Sequence, residues 1–101
     1  MATLGKASLA ATTLTKICTL GSTARGRRIL ICNTSASNSN FRLAFVDAGD
    51  LEPVANEYVL YDARILAKQT ELLNETEVNL SGGSSVWGYS DVAGVIIRVM
   101  E

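Results

Sequence analysis

Histidine is absent from the 101 residues, so Ser-His-Asp and Cys-His arrangements cannot be built within one chain. Only Ser-Lys or carboxylate mechanisms stay open as catalytic schemes. The two cysteines, Cys18 and Cys32, are not spaced as a Cys-x-x-Cys pair. Without histidine, two thiols cannot close a metal site unless carboxylates complete it. They read as buried reduced thiols, with a disulfide between neighbouring strands as the alternative in an oxidising compartment. Charge of one sign is also missing: nine Lys and Arg face ten Asp and Glu, for a formal net charge of -1. No long-range field therefore attracts nucleic acid or anionic membrane. No apolar run approaches the roughly 20 residues that span a bilayer, and the start of the chain lacks the uninterrupted apolar segment of a signal peptide. No membrane partner is expected, and synthesis is expected in the cytoplasm.

What is present is aliphatic. The composition is 48% hydrophobic and 19% charged, with aromatics at only 6%, which favours a globular domain over disorder. The length suits one domain with one core. Short β-prone runs alternate with turn residues along it. Residues 1–14, rich in Ala, Thr, Ser and Leu, show no clear stripe and read as an extended arm. Leu14 to Thr19 alternates as a strand, and a turn through Gly21–Gly26 follows. Ile29 to Cys32 is a continuous apolar run that suits a strand covered on both faces. After the Asn/Ser-rich loop 33–40, Phe41 to Val46 resumes as a strand, with Phe41, Leu43 and Phe45 on one face and Arg42, Ala44 and Val46 on the other. Asp47–Asp50 and Pro53 mark a turn. Glu57–Ile65 favours a strand, and Ala67–Leu73 reads as a short strand or a helical turn. Beyond the loop at Gly82–Ser85, Val86–Tyr89 and Val95–Met100 close the pattern.

Seven to eight short strands without βαβ alternation predict an all-β fold, a small antiparallel β-sandwich or jelly-roll-like barrel. The expected organisation is an arm over 1–14 and a single sandwich domain over 15–101. Candidate chemistry is sparse. Asp47, Asp50 and Glu52 read as a charged surface turn, with a weak calcium site as the alternative. Gly82 to Ser85 lacks the lysine and the following helix of a phosphate-binding loop, so no cofactor is expected. Arg25, Arg27 and Arg28 form the one basic cluster and read either as a solvated turn or as ion-pair donors to acidic residues of a neighbouring subunit. Asn33, Asn74 and Asn79 each begin an Asn-x-Ser/Thr triplet, which matters only in a secreted eukaryotic protein. Trp87 and Tyr89 share one strand face and are either half-buried packing or a platform for a sugar or a subunit. No catalytic and no metal-binding residue is assigned.

The order of blocks carries a resemblance. Arg28-Ile29-Leu30-Ile31-Cys32-Asn33, then Phe41-Arg42-Leu43-Ala44, then Tyr58-Val59-Leu60-Tyr61-Asp62 resemble a group of small tailed-bacteriophage virion proteins, over most of the chain from about Thr12 onward. Cys18-Thr19-Leu20-Gly21 stands where such proteins often carry a Val-Pro-Ala-Gly turn. The resemblance implies a virion-located structural component, a head decoration or cement protein or a tail- or collar-associated one, without enzymatic activity. It implies self-assembly, as a trimer or higher ring, and contact with other virion proteins. The expected subunit contacts are Leu4, Leu9 and Leu14 of the arm with Arg25, Arg27 and Arg28. Removal of Met1 to Ser8 is then expected to weaken assembly at a nearly unchanged melting temperature. The alternative is a carbohydrate-binding or host-adhesion module, with a host-surface glycan stacked on Trp87 and Tyr89.

Overall fold

A computed structural model describes residues 3–74, 78 and 80–101; Asn79 of its triplet, and Glu75 and Thr76 of the triplet begun by Asn74, lie outside them. Eight strands form: β1 (Thr3–Leu9), β2 (Thr15–Thr19), β3 (Arg28–Asn33), β4 (Ser39–Val46), β5 (Tyr58–Ile65), β6 (Thr70–Leu73), β7 (Ser85–Ser90) and β8 (Val95–Met100), with a short 3-10 turn at Ala55–Glu57 before β5. They make two four-stranded sheets, ordered β1-β8-β3-β6 and β2-β7-β4-β5. Every strand pairing is antiparallel.

The orders have a simple origin. Each of β1 to β4 lies beside the strand that mirrors it from the other end of the series, β8, β7, β6 and β5 respectively. A long hairpin whose arms are the first and last four strands, rolled so that β3 meets β8 and β4 meets β7, produces this arrangement. It is the jelly roll, one of the two-sheet solutions for covering the apolar faces of antiparallel strands. The expected all-β sandwich is therefore the fold.

Inward positions follow the two-residue period. Ile29 and Ile31 of β3 and Val95, Ile97 and Val99 of β8 are fully buried, and they meet Phe41 and Leu43 of β4 and Val86 of β7 across the sandwich. The run Ile29–Cys32 thus has one inward face; Leu30 and Cys32 point outward and are half-buried. On β4 the alternation breaks after Leu43. Ala44 and Val46 are buried instead of Phe45, and the pairing of β4 with β5 shifts register between Leu43 and Ala44. Ala67–Leu73 resolves into a turn followed by the strand β6, so the strand alternative holds for its second half.

The segment expected to extend as an arm belongs to the sandwich. Thr3–Leu9 is the edge strand β1, paired with β8 from Thr3↔Met100 to Leu9↔Val95. Ala11 bridges to Ser90, and the Thr12 amide donates to the Ser90 carbonyl. The small residues that disguise the strand are what its position demands. A Cβ on Gly5 would collide with Cys18 Cβ, so β1 approaches β2 only because glycine stands there. Leu9, 1% exposed, is core, and Leu4 packs partly against it.

Connections alternate between the two ends of the sandwich. The loops 20–27 and 47–57 and residues 80–84 share one end with Thr3 and Met100; the turns 10–14, 34–38, 66–69 and 91–94 share the other. Among the described residues, no helix is long and apolar enough to cross a membrane.

Candidate functional site

Three surface regions hold the polar and aromatic residues singled out above. The first is the outer face of the β2-β7-β4-β5 sheet. Val86, Gly88 and Ser90 turn inward on β7, and Trp87 and Tyr89 turn outward. Glycine stands at the inward position 88 because a Cβ there would lie 2.6 Å from Ile97 Cδ1. Across the strands Lys16 pairs with Trp87 and Arg42 with Tyr89. The Lys16 ammonium lies 5.7 Å from the Trp87 ring centre, and the Trp87 indole N–H donates to Ser85 Oγ at 3.0 Å.

Arg42 is held more tightly. A bulge in β5 sets both Tyr61 and Asp62 against the single residue Arg42, with Asp62 in the left-handed region at φ 54°. Aspartate tolerates that conformation better than most side chains. The extra residue delivers a ring and a carboxylate to one guanidinium: Asp62 Oδ1 accepts from Arg42 Nε at 2.7 Å, and the guanidinium carbon lies 4.1 Å from the Tyr61 centre and 4.6 Å from that of Tyr89. Tyr58 packs edge-on to Tyr61. The bond to Asp62 raises the Arg42 pKa, so it stays charged. Trp87 and Tyr89 therefore share a face, as expected, with a cation over each ring; a stacking ligand must displace those cations. Lys16, Arg42, Tyr61 and Asp62 escaped the sequence reading, because a bulge leaves no spacing signal that survives without the partner strand.

The second region is the end carrying loops 20–27 and 47–57. Thr23, Arg25, Arg27 and Glu101 line a cleft of about 270 Å³. Arg25 and Arg27 are exposed, and neither forms an ion pair with another described residue. Arg28, from the same basic cluster, sits apart on β3, opposite Met100 of β8. In loop 47–57, Glu57 is buried and pins the turn: its carboxylate accepts from the Asp47 amide at 2.9 Å and the Val54 amide at 3.0 Å. Those two bonds hold the Glu57 pKa below the ordinary range. Its hydrogen bond with Asp50 raises the Asp50 pKa. Carboxylate oxygens of Asp47, Asp50 and Glu57 lie within 4.8 Å of one another, so Glu57 takes the place in the cluster that the sequence reading gave to Glu52.

The third region, the opposite end, is closed on itself. Asn33 is fully buried; its amide donates to the carbonyls of Ser37, Ile65 and Leu66, and its Oδ1 accepts from the amide and hydroxyl of Ser35. That burial takes the Asn33 triplet out of reach of glycosylation in the folded chain. Asp91 accepts from Ser39 Oγ and the Asn40 amide, and Lys68 donates to the Thr34 carbonyl.

Both cysteines are free and half-buried, on different sheets. Burial raises the Cys18 pKa, which keeps it a thiol of low nucleophilicity at neutral pH. Of the expected subunit contacts, Leu9 is consumed by the core, Leu14 is 37% exposed, and Arg25 and Arg27 are open to a partner. Comparison with family models, with curated proteins and with solved structures finds no match to this chain.

Proposed function

We propose that the chain is a structural subunit that works by assembly, as a head-decoration or tail-associated protein of a tailed bacteriophage particle. The observation that carries the assembly reading is where the large apolar side chains are exposed. Of seven such residues among those described, Leu51 and Val54 lie on loop 47–57, Val59 and Tyr61 on the edge strand β5, Leu66 just after it and Leu72 on β6, the edge strand of the other sheet; Leu14 is the seventh. Scattered singly, exposed apolar residues need no explanation; concentrated along one stretch of edge they suit a partner. β5 also presents a free backbone edge to which a strand can be added. The phage assignment rests on the "CN", "FRLA" and "YVLYD" blocks. The jelly roll is compatible with it by analogy alone, because viral capsid and lectin domains both use this architecture.

Light scattering of the purified protein tests the reading. An oligomer, or recruitment onto the parent particle, is expected. A monomer at all concentrations that also fails to bind the particle overturns it. The outward pair Trp87 and Tyr89 supports a second reading, a glycan-binding module. Glycan-array binding abolished by Trp87→Ala would promote that reading.

A further inference from the structure

The two ends of the sandwich treat their charges differently. At the end bearing 34–38, 66–69 and 91–94, Asp91 and Lys68 are engaged by groups of the same chain. At the end bearing 20–27 and 47–57, a net basic cleft, in which Glu101 accompanies Arg25 and Arg27, stands on one sheet and an acidic loop on the other. Arg25 and Arg27 border their cleft beside the ends of β3 and β8 in one sheet; the Arg27 amide donates to the Met100 carbonyl. Asp47, Asp50 and Glu52 project from the β4–β5 loop of the other sheet and are exposed. Between Asp50 and Glu52, Leu51 is 92% exposed.

The patches are held in fixed relation. The Leu20 amide donates to the Ser84 carbonyl and the Gly83 amide to the Leu20 carbonyl, and Gly83 lies against Ala48. Glu57 anchors the acidic loop from beneath. A partner of one sign would satisfy one patch and be repelled by the other. A surface with a net basic and an acidic patch on one end fits a second copy of itself turned about a two-fold axis, which makes both contacts at once.

Resting on the assembly reading above, we infer that this end is a self-recognition surface: the Asp50-Leu51-Glu52 tip of one copy enters the Arg25/Arg27 cleft of a second copy, and the reverse contact forms simultaneously. Guanidinium forks suit carboxylates, and Leu51 adds an apolar contact at the centre of each pairing. The association is electrostatically driven and so weakens with salt.

Sedimentation velocity of the full chain tests the inference with two reversed forms, Arg25→Glu with Arg27→Glu and Asp50→Arg with Glu52→Arg. The substituted side chains are exposed, so both forms should melt cooperatively, the arginine pair at the unsubstituted temperature and the acidic pair displaced only by the loss of the Asp50 bond to Glu57. At about 0.02 M ionic strength, where screening is weak, the unsubstituted protein is expected to dimerise. Each reversed form alone is expected to be monomeric, with dimer affinity at least tenfold lower. An equimolar mixture of the two should regain the dimer, because reversal on one side restores complementarity with reversal on the other. Oligomers that ignore both reversals would overturn this contact and leave the assembly reading standing. A monomeric unsubstituted protein that still binds the particle would do the same, and one that binds neither itself nor the particle would overturn both.

Discussion

Asn33 shows how much a single buried amide can organise. Three carbonyls accept from its Nδ2 and two donors reach its Oδ1, so it joins the end of β3 to the β3–β4 turn and to the end of β5. Asn33→Ala leaves those carbonyls unpaired in a dry site, at a cost of about 1–3 kcal/mol, readable as a lower urea midpoint at unchanged slope. A cost near zero would show that water takes over the amide's role. Gly5 is decisive for the opposite reason, having no side chain. Gly5→Ala drives a methyl into Cys18 and should destabilise by about 1–3 kcal/mol. Removing the obstacle with Cys18→Gly should recover part of that loss, and a strictly additive double mutant would count against the contact.

At the scale of elements, loop 47–57 is the place where acid should act first. Glu57 carries a lowered pKa because backbone amides of Asp47 and Val54 donate to it. Its contribution is present above the ordinary glutamate value of 4.5 and is lost as pH falls through the folded value. Asp50, raised by Glu57, runs the other way: its burden on the fold is relieved as it takes up a proton. Glu57→Gln should therefore flatten the acid side of the melting curve, and Asp50→Asn should steepen it; equal slopes in both would refute the assignment. β1 supplies the second prediction. Deleting residues 1–8 strips one of the two partners from β8 and uncovers its edge, so the melting temperature should fall markedly, in contrast to an arm whose loss leaves it unchanged. The strands were legible where β-branched runs alternate with Gly, Asn and Asp turns, as in β3, β4 and β8. β1 was hidden because close approach to β2 selects Gly and Ala over the bulky residues that betray a strand. The Arg42–Tyr61–Asp62 group was hidden too, since it exists only once a bulge sets two residues of β5 against one of β4. Trp87 and Tyr89 could be assigned to one face from their spacing alone, but not the cations that cover them.

For the whole molecule, nearly every stabilising pair joins distant parts of the chain. β1 must find β8 and β2 must find β7 before either sheet closes. Loop closure over such separations is slow, so refolding should take milliseconds to seconds, as for other sandwiches; a microsecond phase carrying the full amplitude would be incompatible with this topology. The same mirror-image pairing sets Thr3 beside Met100. The two extremities of the described chain thus meet at the pole that carries the charged patches, and a tag or fused domain at either one emerges beside the Arg25/Arg27 cleft. Joining those extremities with a short linker and reopening the backbone within 34–38 would give a circular permutant whose cargo points away from the charged pole, turning the domain into a display scaffold that keeps the proposed contact face clear.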